Sequence, residues 1–186
     1  MSQQKLLERV IQVLSDKAIP YMLTGGLASS LLGIPRYTQD IDLVVDLVLE
    51  NLTPVLNAFP EPDFYVDATA AKVATQTKDM FQLIEVNTGD RVDFHLLTSE
   101  PFDQSRFGRR QTIDFMGQPL VISTAEDLII QKLKWAQMSG GSQKQLYDAS
   151  VVYQVQRDRL NREYLVPWIQ QLGLTQFWGQ LEAEAG

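Results

Sequence analysis

Two adjacent glycines, Gly25-Gly26, and a carboxylate pair, Asp40-Ile41-Asp42, restrict this chain more than any other feature of it. The glycines follow a short apolar run, Tyr21-Met22-Leu23, and precede a helical pattern, so their bare backbone can approach phosphate oxygens at a helix N-terminus. Residues 27–39 separate them from an apolar strand in which Asp40 and Asp42 alternate with Ile41 and Leu43. On a strand, side chains two apart share a face and stand roughly 6.6 Å apart at Cα, so the two aspartates point the same way. Such a pair suits divalent ions spaced about 3.5–4 Å apart, the arrangement used for in-line displacement at phosphorus. Burying two carboxylates side by side is costly unless cations or donors compensate, which favours a metal site over a solvated acidic face.

Composition narrows the classes. At 186 residues, 45% hydrophobic and 21% charged, the chain has the length and apolar content for one folded domain carrying a small appended subdomain. No run approaches 18 apolar residues, and Met1-Ser2-Gln3-Gln4-Lys5 lacks the apolar core and cleavage site of a signal peptide. A cytoplasmic protein with no membrane partner is therefore expected. The absence of cysteine excludes thiol catalysis, zinc-thiolate sites and disulfides, and a single histidine, His95, excludes multi-histidine metal sites. Net charge is −7, and residues 1–122 hold 16 of the 23 acids against 10 of the 16 bases. Negative charge thus concentrates in the part containing Asp40 and Asp42, where bound cations would relieve it. An acidic chain is a poor binder of extended duplex nucleic acid, although a local basic patch could dock one RNA end.

The periodicity predicts a first helix through Leu6, Leu7, Val10, Ile11 and Leu14, ending before Pro20. A short helix follows the glycines, then a loop from Gly33-Ile34-Pro35 carrying Arg36 and Thr38, then a strand from Asp40 to Asp46. Leu49, Leu52, Val55, Leu56 and Phe59 predict another helix, whereas 63–78 is ambiguous. Phe81–Val86 and Arg91–Leu97 flank a turn and read as a hairpin, as do Arg109–Phe115 and Pro119–Ile122. From Ser123 onward the pattern is helical, with Ser123 or Thr124 as N-cap and a capping box at Ser142 and Gln145.

In the strand Arg91–Leu97, Arg91, Asp93, His95 and Leu97 share one face. Asp93 is either paired with Arg91 or Arg36, or it bridges a metal ion and accepts the proton of an attacking hydroxyl. His95 reads more readily as a supporting residue than as a participant. Lys132 falls inside the apolar stripe of Ala125, Leu128, Ile129, Leu133 and Ala136. It either snorkels to the rim, contacts a phosphate, or pairs with Asp148, which sits on the inner face of the next helix. Arg106, Arg109 and Arg110 form a basic cluster that is either solvated or receives an acceptor's phosphates.

Taken together, these residues resemble the nucleotidyltransferase superfamily typified by DNA polymerase beta. Its signature is a hydrophobic residue, G-[GS], about 9–13 residues, D-h-[DE]-h (h being hydrophobic) and a later strand aspartate. Here Gly25-Gly26, Asp40-Ile41-Asp42-Leu43 and Asp93 match, while Thr24 stands where the hydrophobic residue is usual. The stretch from Gly33 to Leu43, with Glu126-Asp127-Leu128, Lys132-Leu133, Gly140-Gly141-Ser142 and Tyr147-Asp148, resembles small bacterial members related to abortive-infection and minimal toxin/antitoxin nucleotidyltransferases. The resemblance covers about residues 20–150. It implies an α+β fold, a mixed β-sheet flanked by helices, with a catalytic core over 1–122 and a C-terminal helical subdomain over 123–186.

It also implies parts for the residues. Gly25 and Gly26, with Arg36 and more weakly Lys132, would bind the NTP. Asp40, Asp42 and Asp93 would be both catalytic residues and ligands of two Mg²⁺, with Mn²⁺ as an alternative ion. The implied activity is transfer of a nucleoside monophosphate to a hydroxyl of a protein, an RNA end or a small molecule. Two other readings stand beside it: an inactive relative that binds a protein partner, as antitoxins do, and a sugar transferase using D-x-D, which the short length and the glycine pair disfavour.

Overall fold

In a computed structural model, which describes residues 1–184, a seven-stranded mixed sheet carries helices on its faces. The chain opens with α1 (Gln3–Asp16), capped by Ser2, then β1 (Tyr21–Thr24), α2 (Gly25–Leu32), β2 (Asp40–Val45) and α3 (Leu49–Leu56). Next come β3 (Phe64–Tyr65), α4 (Ala68–Thr77), β4 (Met80–Glu85), β5 (Arg91–Leu96), α5 (Pro101–Gly108), β6 (Gln111–Phe115) and β7 (Gln118–Ile122). Four helices finish it: α6 (Ala125–Met138), α7 (Gln143–Gln156), α8 (Arg162–Gln171) and α9 (Thr175–Glu184).

Sheet order is β3-β4-β5-β2-β1-β7-β6. β2 runs parallel to β5 and antiparallel to β1, while β1 runs parallel to β7. Alternation decides which face does what. Leu23, Ile41, Leu43, Val45, Val92, Phe94, Phe81 and Leu83 point into a core that runs without a break from Leu6 in α1 to Leu181 in α9. The opposite face carries the polar residues of the same strands and a smaller apolar cluster, Met22, Val44, Leu97 and Phe107.

Register then aligns that polar face into rows. Thr24 pairs with Asp42, Asp42 with Asp93, and Asp93 with Gln82, one row across four strands. The next row is Met22, Val44, His95 and Met80, and the preceding one holds Asp40 and Arg91.

Three local expectations need correction. The ambiguous segment contains β3 and α4, the latter capped by Asp67. Arg109 and Arg110 end a helix instead of opening a strand: Pro101 at the first turn, where its missing N–H costs nothing, starts α5. Ser142 does precede α7, but its side chain makes no capping bond and Gln145 Oε1 is buried without a partner, so the capping box does not form.

Candidate active site

The glycine turn is built around a carboxylate. Gly25 has φ +68°, and a Cβ there would lie 1.9 Å from Asp42 Oδ2. A side chain is excluded twice, by backbone strain and by overlap. Gly26 donates its N–H to the same Oδ2 at 3.3 Å, so the amide expected to meet a phosphate is held by Asp42. Substituting Gly25→Ala should cost about 1–3 kcal/mol and push Asp42 out of place. Thermal denaturation beside a transfer assay measures both effects, and an unchanged melting temperature would contradict the close approach.

Asp42 and Asp93 stand directly opposite on parallel neighbours, about 4.8 Å apart at Cα. Their environments pull them apart electrostatically. Burial raises the Asp42 pKa, yet the His95 hydrogen bond, the nearby Lys132 charge and the Gly26 amide together outweigh burial and hold it below the usual carboxylate range. His95 Nε2 lies 3.3 Å from Asp42 Oδ1. Asp93 is raised, chiefly by burial and next by the Asp42 charge, with Arg91 and the Gln82 Nε2 hydrogen bond at 3.0 Å only partly offsetting this. One member of the pair is therefore a firm anion and the other is disposed to take up a proton.

Asp40 is otherwise engaged. Arg91 Nη2 donates to its Oδ2 at 2.8 Å, and Arg91 Nε lies 2.7 Å from Oδ1 and 3.7 Å from Asp93. No three carboxylate or imidazole groups converge on one point among the described residues. The donor set nevertheless suits a hard divalent cation, being all carboxylate oxygen at Asp42 and Asp93, and the raised Asp93 pKa marks negative charge that a cation would neutralise.

Beside the turn lies an ion triad, buried at Asp148 and Lys132 and partly exposed at Arg36. Asp148 accepts from Arg36 Nε and Nη2, both at 2.8 Å, and from Lys132 Nζ at 2.7 Å. Lys132 is 2% exposed, so it does not snorkel. Burial lowers its pKa while Asp148 and Asp42 pull the other way, and Arg36 Nη2 would lie 3.3 Å from a Cβ on Gly26. Beside Gly26, therefore, two cations, Arg36 and Lys132, stand with two carboxylates, Asp148 and Asp42.

The arginine cluster is not a shared patch. Arg106 pairs with Asp103, Arg109 bonds Glu126 and Asp127 while lying over the Tyr164 ring, and Arg110 lies over Phe107. Gln82, in the aspartate row, and His95, in the next row, each bond one of the two facing aspartates, Gln82 to Asp93 and His95 to Asp42. The only signal for Gln82 is its place as a lone polar residue between Phe81 and Leu83 in an apolar strand.

Concave surface exists in two relevant places. The larger cleft, about 640 Å³, lies between α1 and the β6–β7 hairpin, and none of the motif residues lines it. A smaller one, about 330 Å³, has Thr24, Val44 and His95 in its wall and thus adjoins the aspartate row.

The mixed seven-stranded sheet with its flanking helices is the nucleotidyltransferase fold, and solved structures bear this out. The chain is similar to ANT(2'')-Ia in complex with adenylyl-2''-tobramycin, at a TM-score of 0.59 and 13% identity over 97% of this chain and 99% of that one. It is similar to LnuA, a lincosamide antibiotic adenylyltransferase with lincomycin bound, at 0.52 and 11% over 83% and 98%. A third is an antigenic nucleotidyltransferase-like protein from Paracoccidioides brasiliensis, at 0.53 and 21% over 82% and 75%. No protein-family model matches the sequence, and no curated protein does.

Proposed function

We propose that the protein is a Mg²⁺-dependent nucleotidyltransferase that moves a nucleoside monophosphate from an NTP to a hydroxyl. The observation that carries this is the row Thr24-Asp42-Asp93, with Asp42 bonded to the Gly25-Gly26 turn. The bare backbone of the Gly25-Gly26 turn seats the triphosphate although the Gly26 amide itself is spent on Asp42, and Arg36 and Lys132 are the cations nearest its charge. Asp93 takes the proton of the attacking hydroxyl. The hydroxyl oxygen bonds to the α-phosphorus, the bond from that phosphorus to the bridging oxygen breaks, and pyrophosphate leaves with its electrons. Asp42 and Asp93 would hold Mg²⁺, joined by Asp40 once Arg91 releases it. Bound there, the ion would neutralise charge on the transferred phosphoryl group and on pyrophosphate. The remaining contribution is positional.

The Arg91–Asp40 ion pair favours a second reading, an inactive module whose acids are spent on structure. Calorimetry separates the two. A transferase binds at least one NTP with Mg²⁺ present and loses most of that affinity with EDTA, whereas a degenerate module shows no metal-dependent binding of any NTP.

A further inference from the structure

Sheet order gives the proposed reaction a direction. The Gly25-Gly26 turn, with Arg36 and Lys132 near it, lies on the β1 side of Asp42, and the row continues the other way through Asp93 to Gln82. In phosphoryl transfer the attacking and leaving oxygens stand roughly in line on opposite sides of the phosphorus. With the triphosphate on the turn, pyrophosphate leaves toward β1 and the attacking hydroxyl enters from the Asp93 side. The body of the acceptor then rests over β4 and β3.

That part of the polar face is open. Tyr65 pairs with Ile84 and Ile84 with Arg91, so Tyr65, Ile84, Gln82 and Met80 share the face of Asp93. Tyr65 is 53% exposed, and Gln82 is exposed as well. Both line a third cleft, about 250 Å³, with Met80, Ile84, Asp67 and Ala70 in its wall. Gln82 ties this cleft to the chemistry: its Nε2 donates to Asp93 Oδ1 at 3.0 Å, which leaves its Oε1 for a guest.

Shape and charge select that guest. β3 covers β4 only at Ile84 and Glu85, and Asp67 and Ala70 at the start of α4 wall the cleft beyond that point. The space therefore suits a ring better than an extended strand, and it is smaller than the roughly 300 Å³ at which ligand pockets usually begin. Among the described residues Asp67 is the one charged side chain in the wall, and its Oδ1 is held by the Ala70 amide at 2.9 Å. Arg91, in the Ile84 row, is spent on Asp40, while Lys78 and Asp79 beside Met80 line the other cleft and offset each other. A phosphate on the guest would meet no free cation and would face Asp67 and Asp93. An uncharged ring meets the flat apolar face of Tyr65, with planar oxygen acceptors at Gln82 and Asp67 for its hydroxyls.

Resting on the transferase reading, we infer that this cleft is the acceptor subsite and that it takes an uncharged cyclic polyol such as a single sugar ring. One face of the ring lies on Tyr65, and one hydroxyl donates to Gln82 Oε1. A neighbouring hydroxyl gives its proton to Asp93 as its oxygen bonds to the α-phosphorus and pyrophosphate leaves with the electrons of the broken bond.

Saturation-transfer NMR on the full chain tests this, with Mg²⁺ and a non-hydrolysable ATP analogue present. Methyl β-D-glucoside, methyl β-D-galactoside and myo-inositol serve as uncharged probes, and glucose 6-phosphate as the anionic control. At least one uncharged ring should bind, more tightly than glucose 6-phosphate, and Tyr65→Ala and Gln82→Leu should each weaken it about fivefold or more. Tyr65 is exposed, so Tyr65→Ala should keep its stability to within about 0.5 kcal/mol and bind the ATP analogue as before. Trp135→Ala, in the 330 Å³ cleft, should leave ring binding unchanged. Failure of all three rings to bind, tighter binding of glucose 6-phosphate, binding undiminished in Tyr65→Ala, or binding lost only in Trp135→Ala would overturn the assignment. Failure of the wild type to bind the ATP analogue, measured in a separate titration without any ring, would overturn the transferase reading instead.

Discussion

Replacing Asp148 by alanine is expected to lower stability by about 3–5 kcal/mol, the loss typical when one partner of a buried ion pair is removed. Asp148 is fully buried and Lys132 is 2% exposed, so the lysine ammonium would lose its hydrogen-bonded counter-ion without gaining water, and only the unbonded Asp42 charge would remain nearby. Arg36 is less affected, since a quarter of its side chain already reaches solvent. Urea denaturation measures the loss, and a change below about 1 kcal/mol would mean the triad is not buried as described. The double variant Lys132→Met with Asp148→Leu should recover most of the stability, because it removes both charges together. The pH dependence has a definite sign. Burial raises the Asp148 pKa, but the Arg36 and Lys132 interactions outweigh it and hold the carboxyl below its ordinary value. Its stabilisation is therefore complete above the unfolded value, roughly 3.9, and is lost as pH falls through the lower folded value. The acid limb of the stability curve should flatten in Asp148→Ala.

Asp42→Asn should lower transfer by about 10³-fold or more while leaving the fold intact. The amide oxygen still accepts from the Gly26 N–H, so the turn remains seated, but the charge is gone. Asp93→Asn makes an instructive contrast. It too should abolish transfer, yet it removes a carboxylate held above its usual pKa by burial and by Asp42, and the Gln82 bond survives the change. Its melting temperature should therefore rise, at roughly 2–4 °C per kcal/mol for a chain of this size. Lost activity with gained stability is the mark of charge kept for function, and a fall in melting temperature would deny that role to Asp93.

How far the sequence can be read follows from what each signal depends on. Alternation in Asp40–Val45 and Arg91–Leu96 is local, so the faces of both strands and the shared side of Asp42 and Asp93 are legible from the order of residues alone. Lys132 is visibly out of place in an apolar stripe, and the inner face of the next helix offers Asp148 as its partner. What is not legible depends on pairing between distant segments. Arg91 lies 51 residues from Asp40, and nothing in either strand says that register sets them side by side. The same is true of Gly25. Its spacing suggests phosphate contact, but the tighter constraint is the Asp42 oxygen folded against it. Arg106 looks like one of a basic trio because sequence proximity hides burial, and only the packing of α5 separates it from Arg109 and Arg110.

The most direct test of nucleotidyl transfer is to incubate wild type, Asp42→Asn and Asp93→Asn with Mg²⁺, each α-labelled NTP and a cell extract, and to follow label into protein, RNA or small molecules. Transfer predicts label in one acceptor class with the wild type and release of pyrophosphate, and neither with the two variants. Label incorporated equally by Asp42→Asn, or by none of the three proteins although each acceptor class is present, would contradict it.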